Sequence, residues 1–214
     1  MSRVFADRVE AGRALARALG RYAGSTATVV LALPRGGVPV AREISRALGL
    51  PLDVLVVRKL GLPMQPELAM GAIASGGAVV LNEDVLRHLG DHTASLEAVK
   101  TRELAEVQRR ERSYRGDRPP LAVAGRTAIL VDDGLATGAT MEAAVRALRA
   151  LDAECIVVAV PVSSVEARDR IAALADEVVC LEAPMFFSAV GQWYRNFEQT
   201  SDEEVRALLA EAAG

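Results

Sequence analysis

Short, unbroken apolar runs recur along the chain at 28–33, 52–57, 78–81, 127–131, 155–160 and 177–181. None alternates strictly with polar residues, which is the pattern of strands covered by helices on both faces. Between them, apolar residues return every three or four positions and predict helices over 3–21, 38–48, 83–113, 139–151 and 165–174. In the first, Phe5, Val9, Ala16 and Leu19 fall on one face. In the long 83–113 stretch, Leu96, Val99, Leu104 and Val107 share an arc, while Glu106 with Arg110 and Glu111 with Arg115 make exposed i,i+4 pairs. A short pairing strand is expected at 72–75, Pro119, Pro120 and Gly125 break the chain before 127, and a capping box Ser201-x-x-Glu204 opens a terminal helix. Strand and helix thus alternate, which predicts an α/β fold: a doubly wound parallel sheet with a helical insertion near 83–118.

Composition narrows the class. With 214 residues, 51% of them hydrophobic and 25% charged, the chain can bury a real core and is expected to form one compact unit with an appendage. Its longest apolar run, 155–162, is far short of the roughly twenty residues that cross a bilayer, and Arg3, Asp7, Arg8 and Glu10 charge the N-terminus, so neither a membrane span nor a secretory signal is expected. Twenty-five basic residues against 28 acidic ones remove the broad positive field of a nucleic-acid coat, so any anion site must be local. Cys155 and Cys180 lie in apolar runs without metal-ligand spacing and suit buried thiols of a reducing compartment, the cytoplasm. His88 and His92 stand four apart with Gly90 between them and no third ligand patterned nearby, so they are assigned to the surface and no metal site is expected.

The sharpest chemical signal is the stretch 127–140, TAILVDDGLATGAT, an apolar strand that ends in two adjacent acids and passes through a glycine-broken loop into a helix. Backbone amides of Gly134, Leu135, Ala136, Thr137, Gly138, Ala139 and Thr140, unobstructed at the glycines and joined by two threonine hydroxyls, can form a concavity for a phosphate at a helix N-terminus. Asp132 and Asp133 lie beyond the carboxyl end of the strand, where ligands of open α/β sheets sit, and can accept hydrogen bonds from a vicinal diol. A plain junction with Thr140 as N-cap accounts for one threonine and the glycines, but not for two neighbouring acids in a mostly buried place. The glycine pattern fits neither a Walker phosphate loop nor a dinucleotide fingerprint.

Four apolar residues, two acids and a Thr-Gly-x-Thr loop at 128–140 resemble the signature of the type I phosphoribosyltransferases. The resemblance implies their doubly wound parallel sheet with a small C-terminal hood, a core over 1–181 and a hood with terminal helix over 182–214. It implies that Asp132 and Asp133 contact the ribose hydroxyls of 5-phosphoribosyl 1-pyrophosphate (PRPP), one of them also meeting positive charge that develops on the ribose, and that 134–140 receives the 5-phosphate. The run 33–39, LPRGGVP, is similar to the family's pyrophosphate loop, with Arg35, Gly36 and Gly37 as the candidates. Arg58-Lys59, at the end of the 52–57 run, resembles a basic pair that holds pyrophosphate in orotate and adenine phosphoribosyltransferases, although two basic residues at a strand end are also commonly just solvated. The stretch 60–71, with Pro63, Pro66 and Glu67, falls where relatives often carry a mobile loop.

Residues 184–198 hold three of the four phenylalanines, the single tryptophan and one of three tyrosines. They suit either packing under a hood or recognition of a base, with Phe187, Trp193 and Tyr194 as the base-facing candidates. The implied activity is transfer of the phosphoribosyl group to a nitrogen acceptor, a nucleobase, with release of pyrophosphate, in nucleotide metabolism. Mg2+ would be bound mainly through PRPP, and a homodimer is implied by relatives. The rival reading is a non-catalytic PRPP sensor of the same fold.

Overall fold

A computed structural model describes residues 3–62, 65–89 and 93–212. Its elements run α1 (Arg8–Ala18), β1 (Thr28–Ala32), α2 (Gly37–Leu48), β2 (Leu52–Val54), β3 (Val57–Leu62), β4 (Gln65–Ala74), β5 (Val79–Leu81), α3 (Glu83–Leu89), α4 (Thr93–Arg115), β6 (Thr127–Val131), α5 (Ala139–Ala150), β7 (Cys155–Val162), α6 (Val165–Ala172), β8 (Glu177–Glu182) and α7 (Asp202–Ala212). Five strands make a parallel sheet in the order β2-β1-β6-β7-β8. The order reverses between β1 and β6, whose last residues, Ala32 and Val131, are direct partners. Loops leaving these two strands therefore start side by side and part to opposite faces, which opens a crevice at the switch point.

The unbroken apolar runs are explained by two cores. Val30, Ala32, Ile129, Val131, Val157 and Ala159 point to one face, against Leu15 of α1, Leu19 just after it and Ile44 of α2. Their neighbours Val29, Leu31, Ala128, Leu130, Ile156 and Val158 point to the other, against Met141, Val145 and Leu148 of α5 and Ile171 of α6. Successive side chains alternate, but both faces are covered, so the sequence has no polar positions to show. The doubly wound α/β architecture is the one the sequence predicts. Among the described residues no helix is long and apolar enough to cross a membrane.

The structure departs from the sequence reading in the middle of the chain. Residues 52–57 do not form one strand. Leu55 still donates to Ala32 O (2.9 Å) beside β2, but Ser75 then takes both polar groups of Val56: its N–H donates to Val56 O (2.9 Å), and its Oγ accepts from Val56 N (2.9 Å). The chain leaves the main sheet there, and β3, β4 and β5 form a separate antiparallel sheet in which Val57 pairs with Ala74. The short strand expected at 72–75 is the end of the ten-residue β4. The 83–113 stretch is two helices; the longer, α4, is anchored by a buried ion pair of Arg115 with Asp53 of β2 (3.0 Å). Asp53 also accepts the N–H groups of Val54 and Leu121, so its charge is fully used inside the fold.

After β8 the chain crosses back over the N-terminus. Phe5 N donates to Trp193 O (2.8 Å), Arg195 N to Phe5 O (2.9 Å) and Asn196 N to Ala6 O (2.9 Å). A small third core of Phe5, Ala11, Ala14, Val162 and Tyr194 lies beneath, with Phe187, Val190 and Trp193 at its edge. Ser201 caps α7, accepting from Glu204 N (3.1 Å), and the helix then buries Val205 and Leu209 in the main core.

Candidate functional site

Asp132 and Asp133 follow β6 at the crevice. Each has one carboxylate oxygen committed to the protein: Asp132 Oδ1 accepts the N–H of Asp133 (2.8 Å), and Asp133 Oδ2 accepts from Arg8 Nε (2.9 Å) and pairs with its Nη2 (2.8 Å). The other oxygen of each acid accepts no hydrogen bond from the described residues. Burial, reinforced by the charge of Asp133, holds the Asp132 carboxyl well above the ordinary carboxylate range. Burial also raises Asp133, against which the Arg8 guanidinium works. Two acids with one free oxygen each, in a crevice that penalises their charge, form a strong paired acceptor for hydroxyl donors.

Loop 134–140 is held so that its carbonyls and amides are separated. Ser164 N donates to Leu135 O (3.0 Å), Ser164 Oγ to Ala136 O (2.8 Å) and Arg170 Nη1 to Thr137 O (3.0 Å). The N–H groups of Ala136, Thr137 and Gly138, with those of Thr140 and Met141 in the first turn of α5, have no partner among the described residues. Gly138, whose φ of 75° suits glycine, stands just before α5, and no side chain caps the helix from that position, so the expectation of Thr140 as N-cap in the plain reading is not met. Uncapped amides at a helix N-terminus are a ready anion site.

The loop after β1 forms the opposite wall. A Cβ at Gly36 would collide with Asp133 Oδ2, and one at Gly37 would lie 2.6 Å from Val131 O. Both glycines are therefore required by close approach of the two loops, and the Pro34–Arg35 peptide between β1 and α2 is cis. Arg35 stands 3.7 Å from Asp202 of α7, which also accepts the Tyr114 hydroxyl of α4 (2.8 Å).

Arg58 and Lys59 are not brought together. Arg58 Nε donates to Glu103 of α4 (2.8 Å), whereas Lys59 lines a cavity of about 550 Å³ with Gly71, Asn82, Ala139 and Glu142, between the antiparallel sheet and α5. Adjacent residues in a strand point to opposite faces, and β3 lies between α4 and α5, so one shared ligand cannot take both. The two residues expected to form one basic pair are thus divided between the two sides of β3, Arg58 on Glu103 and Lys59 at the cavity. Positions 60–71 continue β3 and β4; residues 63 and 64, like His92 and the His88 side chain, lie outside the described residues.

Of the aromatic candidates, Tyr194 is only 6% exposed, packs on Phe5 and Phe197, and donates its hydroxyl to the backbone carbonyl of Asp133 (2.6 Å). It supports the acid pair from below and has little surface left for a ligand. Phe187 and Trp193 are partly buried at the edge of the same cluster.

The profile of the phosphoribosyl transferase domain matches residues 5–195. The chain belongs to that family. Two Mycobacterium tuberculosis proteins, of strains H37Rv and CDC 1551, each named "Putative phosphoribosyl transferase", are 53% identical to it over 210 residues, 98% of this chain and 47% of theirs. The chain thus spans about half the length of the curated relatives it matches. The crystal structure of TT1426 from Thermus thermophilus superposes with a TM-score of 0.88 at 47% identity, over 99% of this chain and 100% of that one. The phosphoribosyltransferase resemblance drawn from 128–140 is thus matched by the family over residues 5–195.

Within this phosphoribosyl transferase domain, sequence reading missed Arg8, Ser164 and Arg170. Ser164 carried a signal, since it stands where strand meets helix and caps α6, accepting from Ala167 N (3.1 Å). Arg8 carried none: it reaches Asp133 across 125 residues of sequence.

Proposed function

We propose that the chain transfers the 5-phosphoribosyl group of PRPP to a nitrogen of a nucleobase and releases pyrophosphate. The observation that carries this reading is the division of loop 134–140, with its carbonyls tied back by Ser164 and Arg170 and its amides left open beside two uncommitted carboxylate oxygens. One sugar phosphate satisfies both: the 5-phosphate takes the amides, and the ribose hydroxyls donate to Asp132 and Asp133. Arg35 with the amide of Gly36 then faces the pyrophosphate, the Gly37 N–H being held by Leu33 O (3.1 Å), and Lys59 approaches it from the α5 side. Residues 183–201 serve as the hood, where Phe187 and Trp193 remain the base-facing candidates.

In the transfer the acceptor nitrogen supplies the electron pair to C1 of the ribose as the C1–O bond to pyrophosphate breaks, the bond's electrons leave on the pyrophosphate oxygen, and the nitrogen's proton passes to water. Positive charge grows on the ring, and the acid pair beside it favours that charge. Mg2+ would be held mainly by the oxygens of PRPP and by water, next to the acid pair. When bound, Mg2+ supplies neutralisation of the pyrophosphate charge. The proposal places the chain in nucleotide metabolism, in the cytoplasm and as a homodimer.

Incubation with PRPP, Mg2+ and a panel of nucleobases tests the proposal. Pyrophosphate release that depends on one base is the expected result. Tight PRPP binding with no turnover by any base would replace the transferase with a sensor.

A further inference from the structure

Arg8 is fixed in place before it meets anything. Asp7 caps α1 by accepting from Glu10 N (2.8 Å), and Glu10 reaches back to Ala6 N (2.6 Å), so the helix begins at a defined residue with Arg8 in its first position. From there all three guanidinium nitrogens are used. Nε and Nη2 grip Asp133 Oδ2, Nη1 donates to Glu198 O (2.7 Å), and the guanidinium carbon lies 4.0 Å from the centre of the Phe197 ring. The side chain is 12% exposed, so it makes these contacts at the cost of most of its hydration. The same C-terminal stretch holds the main chain of Asp133 through the Tyr194 hydroxyl.

Asp133 is thus clamped at side chain and backbone by one arch built from the N-terminal helix and residues 193–198. The clamp takes Oδ2 and leaves Oδ1 open, against a wall where position 36 has room for no side chain. We infer that Arg8 is a positioning residue: it acts on the sugar only through Asp133, and it ties the aim of that acid to the C-terminal arch. This rests on the reading that the acid pair takes the ribose hydroxyls. Arginine suits the role because its rigid fork closes two donors on the one oxygen Oδ2 and keeps a third for Glu198 O, while the stacked ring fixes the fork. Lysine can supply charge but not orientation.

The test is a double-mutant cycle of Arg8→Met, Asp133→Asn and the pair, with Arg8→Lys alongside. Calorimetry measures ribose 5-phosphate and inorganic phosphate on each, and thermal unfolding checks folding. Arg8→Met is expected to weaken ribose 5-phosphate by about tenfold and to leave inorganic phosphate unchanged, with Arg8→Lys in between. In the Asp133→Asn background the Arg8 change is expected to add less than about twofold, because its effect has already been removed. Additive losses in the pair, or equal loss of inorganic phosphate, overturn the inference and leave Arg8 a structural residue. Tighter sugar binding by Arg8→Met also overturns it and makes the ion pair a competitor of the sugar. Asp133→Asn that binds ribose 5-phosphate like the parent chain instead overturns the reading of the acid pair itself.

Discussion

Asp132-Asp133 and Arg58-Lys59 are both pairs of like charge, adjacent in sequence, yet the acids share one site and the bases do not. The difference lies in where each pair sits. The acids stand just past Val131, the last residue of β6, where the chain turns and the strand's alternation no longer separates neighbours. The bases stand inside β3, so Arg58 goes to Glu103 on α4 and Lys59 to the cavity beside α5. Two neighbouring charges form a joint site only where local backbone lets them converge, and a strand interior forbids this.

The largest effect expected from this contrast is at the acids. Replacing both with Asn should cut affinity for ribose 5-phosphate by about a hundredfold or more, since each charged hydrogen bond is worth about 1.5–3 kcal/mol. Thermal unfolding should change far less than binding; loss of folding with unchanged affinity per folded molecule would break the comparison. Next is Gly36→Ala, whose methyl falls on Asp133 Oδ2 and must displace the carboxylate. It should weaken sugar binding by about tenfold with the fold retained. At Gly37 the obstruction is the backbone itself, Val131 O at 2.6 Å, so Gly37→Ala should lower the unfolding midpoint as well.

A smaller effect separates the bases. Lys59→Ala should weaken PRPP several-fold relative to ribose 5-phosphate, whereas Arg58→Ala should leave both affinities within about twofold and cost at most about 1 kcal/mol of stability, because its ion pair is partly exposed. Equal losses from the two would return them to one site. The smallest effect concerns pH. Burial raises Asp132 above its unfolded value of 3.8, so the folded state holds that proton more tightly and the native fold loses stability as pH rises between the unfolded and folded values. Asp132→Asn removes this loss. Its unfolding midpoint, compared with the parent chain, should therefore gain as pH rises above about 4. A gain that shrinks with rising pH would show that the acid is stabilised by its surroundings.

Much of this arrangement was legible in the chain. The β6 run 127–131 matches its strand because an unbroken apolar stretch between two cores has sharp ends, and the acids and glycine-broken loop follow it directly. What escaped depends on contacts between distant segments. The exit of β3 from the main sheet turns on Ser75 bonding to Val56, and no periodicity marks that. Arg8 resembled any charged N-terminal residue, and Arg170 any exposed helix position, until folding set them against Asp133 and Thr137 O. Tyr194 was noticed for its ring, but its hydroxyl is what reaches the site.

The most direct test compares ribose 5-phosphate with 2-deoxyribose 5-phosphate by calorimetry, on the parent chain and on the doubly substituted Asp132→Asn, Asp133→Asn chain. If the acid pair grips the sugar's hydroxyls, the parent chain prefers the ribose ligand, and the variant binds the two alike while still recognising their phosphate. A variant that keeps the full preference for ribose would contradict the account.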